Sequence, residues 1–370
     1  MIDFRYHLVS IAAIFLALAV GIVLGAGPLK GTLGDTLASE VAQLRSDADA
    51  LRADVAAAET EVTERDEVLT TVRPLAAAGI LDGSTVSILA LPGSADETVE
   101  ASRAAIVESG GGVGSEVLLA GSWASEDPPD VTDRTTAAAE LRELLAGDLP
   151  VGIPPERVIA LALGWALATD PTAQSSDPAS AERPTETAPA TPADGTTETP
   201  DDGTTETPDD GTTQPSDDPA DERGGTEDAT SLRILEILEA YGLLTVEGED
   251  APARTDAVIV VAPAPSEDTA GAVAEWSDLV GAVDEAGAVL IVGDLDADTD
   301  AEAETHLIGA VRAGPQLGDR VSTVDNVVDA AGRLAVPFAL AEQLAGQTGH
   351  YGALGSATAF FPPVPSDEAS

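Results

Sequence analysis

Cysteine is absent from the 370 residues, and the initiator is the only methionine. That excludes disulfide frameworks, thiolate zinc sites, iron–sulfur clusters and a cysteine nucleophile. Histidine is nearly as scarce, with His7, His306 and His350 scattered along the chain. Lysine occurs once, at Lys30. Aromatic residues are only 3% although hydrophobic residues reach 44%, so the apolar content is mostly Ala, Val and Leu. Positive charge is the other deficit: 17 Lys+Arg stand against 66 Asp+Glu, for a net charge of −49. A chain that binds a phosphate backbone needs a basic face, so no nucleic-acid partner is expected. The hydrophobic fraction in turn excludes a wholly disordered chain. No GxxxxGK[ST], GxGxxG after a strand, HExxH or GxSxG motif occurs, and no nucleophile, base and orienter assemble from the sequence, so no enzyme is expected.

What is present falls into unlike segments. Residues 1–30 read as a transmembrane anchor, because the 22 residues from Leu8 to Leu29 carry no ionisable side chain. Such a helix spans ~33 Å, enough for a bilayer core. The flanks do not suit a signal-peptidase site, since Asp3 offsets Arg5 and Pro28 follows Gly27. A retained anchor with a short leading segment places the bulk of the chain outside the cytoplasm. Residues 31–74 read as a coiled coil. Leu37, Val41, Leu44, Ala48, Leu51, Val55, Ala58, Val62, Arg65, Leu69 and Val72 alternate by four and three, with one charged residue among them. The pattern places Leu37, Val41, Leu44, Leu51, Val55, Val62 and Leu69 on an oligomerisation seam. Branched residues at one heptad position and leucine at the other favour a parallel homodimer. Glu40 with Arg45 and Asp47 with Arg52 would attract between chains, whereas Asp54 with Glu59 and Glu61 with Asp66 would repel.

Residues 80–169 and 230–361 alternate buried-strand and helix patterns. TVSILALP (from Thr85), VGSEVLLA (from Val113), DAVIVVAP (from Asp256) and AVLIVGDL (from Ala288) are continuous apolar runs, and VSTVDN (from Val321) is a shorter one. Helical stretches fall at 95–109, 135–146, 155–169, 232–242, 269–286 and 332–346. The fold class is α/β: one mostly parallel, doubly wound sheet of five or six strands, split by an insert. That insert, residues 170–229, is rich in Pro, Thr, Asp and Glu and carries the repeat DGTTETPD. It cannot bury enough apolar area to offset its ordering cost, so disorder is expected; calcium-binding repeats are the alternative. Residues 362–370 read as a flexible tail.

Four features carry chemistry. LPGSADE (Leu91–Glu97) joins the first strand to a helix, where backbone amides can hold an anion or where Ser94 or Asp96 caps the helix. Asp294, Asp296, Asp298 and Asp300 follow a buried strand and are candidates for a hard cation, against a solvated acidic loop. Asp325 with Asn326, and His350 with Tyr351, lie near a strand end and a helix end, either lining a pocket or bonding within the fold. Asp294, Asp296, Asp298 and His350 are the candidate metal residues.

The opening MIDFRYHLVSIAAIFLALAVGIVLGAGPL resembles that of the actinobacterial MctB family of copper transport proteins. The LPG turn and the closing STVDN and GRLAVPFALAEQLAGQTGHYG are similar as well. The resemblance covers Met1 to about Leu354, apart from the insert. It implies a cell-envelope role in copper homeostasis, with copper as a transported species and no tightly bound cofactor, and an outer-membrane, channel-forming assembly. Copper(I) prefers sulfur ligands and copper(II) imidazole, and this sequence is poor in both. Lipid-facing strand alternation is also missing. A scaffold or sensor, with a stalk presenting an α/β binding domain and no direct metal transport, is the alternative reading.

Overall fold

The structure is a computed structural model describing residues 4–26, 29–147, 149–169, 219–248, 254–295 and 305–363. It divides into two compact units, residues 1–68 and 69–370. In the first unit, α1 (Phe4–Ala26) is a 23-residue helix. Its segment Phe4–Leu24 has a mean hydropathy of 2.6 and none of it is buried. At ~1.5 Å per residue it is long enough to cross a bilayer. Helix α2 (Leu29–Ala77) follows and runs for 49 residues. The seam residues Leu37, Val41, Leu44, Leu51, Val55 and Val62 are all exposed along it. Two arginines of this segment pair within their own helix, Arg52 with Asp49 (2.7 Å) and Arg65 with Glu61 (2.5 Å). Both pairs are exposed and contribute little.

The second unit opens with the last turns of α2. The helix passes through Pro74, where the stalk is expected to end, and stops at Ala77. Packing overrides the proline: Arg73 and Ala77 are buried, and Arg73 donates from Nε and Nη2 to both carboxylate oxygens of Glu108 (2.6 and 3.0 Å). Then follow β1 (Thr85–Ala90), α3 (Asp96–Glu108), β2 (Gly112–Leu119), α4 (Pro128–Leu144) and α5 (Pro155–Leu167). Residues 170–218 of the expected disordered insert lie outside the described residues, and from Pro219 the chain is already helical. The second half is α6 (Pro219–Ala240), β3 (Leu244–Glu247), β4 (Ala257–Val261), α7 (Val273–Asp284), β5 (Ala288–Val292), α8 (Leu307–Ala313), β6 (Ser322–Val324), α9 (Ala330–Leu344) and β7 (His350–Tyr351).

The seven strands form one sheet in the order β3-β2-β1-β4-β5-β6-β7. Six are parallel, and β3 is an antiparallel edge strand on β2. The mostly parallel, doubly wound architecture expected from the apolar runs is therefore the observed one. Alternate residues of each central strand feed two cores. Val258 and Val260 face α4–α8, with Leu141, Leu163, Ile234 and Ile308. Ile259 and Val261 face α3 and α9, with Ile106, Val336 and Leu340. Burial on both faces is why these strands read as unbroken apolar runs. The helix expected over 269–286 is broken. A single turn, Glu267–Ala270, is closed by a capping box in which Ser266 Oγ accepts from Thr269 N–H and Thr269 Oγ1 accepts from Ser266 N–H, and α7 starts afresh at Val273.

Helices α5 and α7 touch at Gly164, where an added Cβ would lie 2.8 Å from Ala282 O and 2.9 Å from Val283 Cα. Gly164→Ala is expected to lower stability by about 1–3 kcal/mol through overpacking, against its gain in helix propensity. Urea unfolding of the full chain in detergent, with an unchanged m-value, checks it.

Candidate functional site

The strand order reverses between β1 and β4, and the loops leaving their C-terminal ends diverge to opposite faces. In open α/β sheets this is where ligands bind. The first loop turns sharply at Gly93, whose φ of +88° suits glycine. Leu91 N–H and Ser94 Oγ–H both donate to Val261 O (3.1 and 2.8 Å), tying the loop to β4. Ser94 is therefore a strand tie and not a helix cap. The cap position of α3 is Ala95, which makes no side-chain cap, while Asp96 and Glu97 fill the first turn. Between the loops lies a cleft of about 540 Å³, lined among others by Pro92, Gly93, Ser125, Thr269 and Trp276. None of its described lining residues is ionisable. Its wall after β2 is held by Arg134 on α4, which is buried and donates to Ser122 O and, at 2.6 Å, to Ser125 O.

Farther along the same edge, α8 and the ends of β6 and β7 enclose a charged cluster. Arg312 Nη1 donates to Asp325 Oδ2 (2.9 Å), with the two side chains 3% and 0% exposed. Arg312 also donates from Nε to Thr323 Oγ1 (2.8 Å) and from Nη2 to Tyr351 O (2.9 Å). Asp325 Oδ1 accepts from Ala353 N–H (2.7 Å). Only glycine fits at position 352, since a Cβ there would sit 2.0 Å from Asp325 Oδ1 and φ is +130°. His350 Nε2 lies 3.0 Å from Gly318 O, which can only accept, so Nε2 carries the proton. Nδ1 then accepts from Thr323 Oγ1 (3.1 Å). Burial, and next the charge of Arg312, lower the His350 pKa from its ordinary 6.5. Tyr351 donates to Glu342, and burial followed by that bond raises its pKa.

These placements decide between several sequence readings. Asp325, His350 and Tyr351 come together, but their polar side-chain atoms bond Arg312, Thr323 and Glu342 and the backbone. Both ring nitrogens of His350 are engaged within the fold, and the residue also lines a cleft of about 560 Å³ with Arg312, Asp319 and Thr358. Asp294 forms an antiparallel bridge with Asn326 across the β5 and β6 ends. Asp296 and Asp298 lie outside the described residues, as do Asp300 and the acidic repeats. His306 caps α8, its Nδ1 accepting from Gly309 N–H (3.0 Å). Among the described residues, no three His, Asp or Glu side chains gather around one point. Arg312, Arg134 and Trp276 carry no local sequence signal that marks them as site residues.

The family described as copper transport outer membrane protein, MctB, matches residues 1–362, from α1 through the loop after β7. The chain belongs to the MctB family. Proteins named copper transporter MctB, from Mycobacterium bovis and from two strains of Mycobacterium tuberculosis, are each 25% identical to it over 357 residues. Those alignments cover 95% of this chain and 96% of each relative. The anchor, the stalk and the sheet of this MctB-family chain thus match together.

Two outcomes follow from the charged cluster. Asp325→Ala leaves Arg312 buried without its carboxylate and is expected to cost about 3–5 kcal/mol in denaturant unfolding. The folded state also disfavours protonated His350. Stability is therefore full above the unfolded pKa near 6.5 and falls as pH drops through the lowered folded value. Unfolding free energies measured between about pH 7.5 and pH 5 should show this slope, reduced in His350→Gln.

Proposed function

We propose that this chain is a membrane-anchored cell-envelope protein that contributes to copper homeostasis, exporting copper across the envelope as a homo-oligomer. The observation that carries the reading is the family match over residues 1–362, with relatives named copper transporters over nearly their whole length. The exposed apolar helix α1 supports anchoring, and the family description supports the outer membrane as its location. The α/β unit then lies outside the cytoplasm. The exposed heptad seam of α2 supports assembly through a parallel coiled coil. It is densest in leucine and best matched in charge nearest α1, at Leu37, Leu44 and Leu51.

Copper in this reading is cargo and not a resident cofactor. The chain lacks cysteine, its sole methionine is Met1, and His306 and His350 are engaged within the fold. Transient attraction by exposed carboxylates is the physics that the net charge of −49 provides. The seven described strands form one helix-covered sheet, which supports conduction through an assembly over conduction through the α/β unit itself. The scaffold or sensor reading draws its support from the cleft at the β1–β4 reversal, whose described lining residues are not ionisable and suit a small molecule better than a metal ion.

A deletion strain should accumulate copper and grow poorly in copper, and the full-length gene should restore both. Complementation with Leu44→Glu/Leu51→Glu, which places charge on the seam, is expected to fail although the protein reaches the membrane. If the deletion changes neither copper content nor copper sensitivity, the transport reading is wrong and the scaffold reading stands.

A further inference from the structure

We infer that the last turns of α2 and the end of α3 form a second homotypic contact, by which the α/β unit of one copy packs against that of another in the parallel assembly. The inference rests on the homo-oligomer reading above and deepens it, from a stalk zipped near the anchor to a pair of α/β units held side by side. Its first ground is exposure. Within the second unit Arg73 and Ala77 are the inward residues of α2 and Leu69 is half-buried, yet Val72 is 46% exposed and Leu75 81%. The bond from Arg73 to Glu108 fixes which face of the helix turns inward, and so which face is left open. Val107, beside that glutamate on α3, is 59% exposed as well. The other described large apolar side chains of this unit that are more than half exposed, Val151, Leu232 and Phe360, are scattered over separate segments.

The second ground is register. Leu69 and Val72 continue the four-and-three alternation that begins at Leu37, and Val68 and Leu75 occupy the heptad position that flanks it. Earlier in the helix that flanking position holds Glu40, Asp47, Asp54 and Glu61. Over the last two heptads the flank thus changes from acidic to apolar, which widens the seam. Pro74 falls at the outermost heptad position and stays off the seam.

The third ground is charge. Residues 37–67 hold nine Asp and Glu, whereas residues 68–77 hold none. A chain of net charge −49 repels its own copy over most of its surface, so burial against itself needs an acid-free patch. Depletion of charge also marks the core of an interface. A patch that keeps the heptad register of its own helix fits a second copy of that helix, because a two-fold pairing sets each patch against itself. The repulsion of Asp54 with Glu59 and of Glu61 with Asp66 then separates two zipped stretches and does not end the assembly.

The test is disulfide crosslinking of the full chain in native membranes. The chain has no cysteine, so an introduced one is its only thiol. Leu44→Cys and Val72→Cys are oxidised separately with diamide, and each is expected to give a disulfide-linked dimer. Adding Leu75→Glu should reduce the Val72→Cys dimer severalfold and leave the Leu44→Cys dimer intact. Circular dichroism of the purified Leu75→Glu chain should match the parent, because Leu75 is exposed in the single copy. A Val72→Cys dimer without a Leu44→Cys dimer would support this contact and remove the zipper nearest α1. A Leu44→Cys dimer without a Val72→Cys dimer would overturn the inference and leave the homo-oligomer reading standing, whether the second thiol stays open to maleimide, is shielded by lipid or links to a different protein. A Val72→Cys dimer indifferent to Leu75→Glu would overturn it too. No dimer at either position would overturn the homo-oligomer reading and this inference with it.

Discussion

The parallel pairing of β1 with β4 is the contact on which the rest of the α/β unit depends. It joins the two sequence halves in register from Val86–Ala257 to Ala90–Val261. Side chains reinforce the seam at its lower end. Asp256 Oδ2 accepts from Thr85 N–H (2.7 Å) and Thr85 Oγ1 (3.0 Å), across 171 positions of sequence. Thr255 Oγ1 meets Ser87 Oγ and the carbonyls of Leu167 and Ala257 at about 3 Å. Thr169 N–H donates to Thr255 O (2.9 Å), so the chain is pinned to the β4 side as it leaves α5.

The same seam creates the sheet's reversal and with it the cleft. Loops from both halves are needed to build its walls, the 91–95 and 121–125 segments from one and the 262–272 segment from the other. Charge is distributed around this plan in a consistent way. Ion pairs that reach into the interior join separate elements: Arg73 on α2 with Glu108 on α3, Arg103 on α3 with Glu116 on β2, and Arg312 on α8 with Asp325 after β6. Such pairs are weak evidence of added stability, because desolvation offsets their attraction. Their geometry nevertheless sets which elements meet.

Much of this was legible in the residues. TVSILA, AVIVV and AVLIV announce strands buried on both faces because every position is apolar, and the glycine-terminated helices between them announce crossovers. The elements that escape have weak local signals. LTVE of β3 is too short, and its exposed alternate positions make it look like a loop. LIGAVRA of α8 is about two turns between an acidic run and a Gly-Pro stop. Pro74 reads as a helix end, yet the buried Arg73–Glu108 pair and Ala77 carry the helix past it. Among candidate site residues, Asp325, His350 and Tyr351 stand out as polar groups at element ends. Asp325 and the Tyr351 carbonyl are satisfied by Arg312, which arrives from a helix without a distinctive pattern.

Composition and periodicity by themselves determined the class of each segment: an apolar helix of bilayer length, a heptad stalk, a sheet covered on both faces and a low-complexity acidic insert. They also determined the poverty in sulfur and imidazole, the ligands that copper prefers. Only the tertiary structure decided the strand order, the antiparallel edge at β3, the engagement of His350 and the cleft at the reversal. The physical reason is separation in sequence. Propensity and hydrophobic period act over one element at a time, whereas these features come from hydrogen bonds and packing between residues tens to hundreds of positions apart.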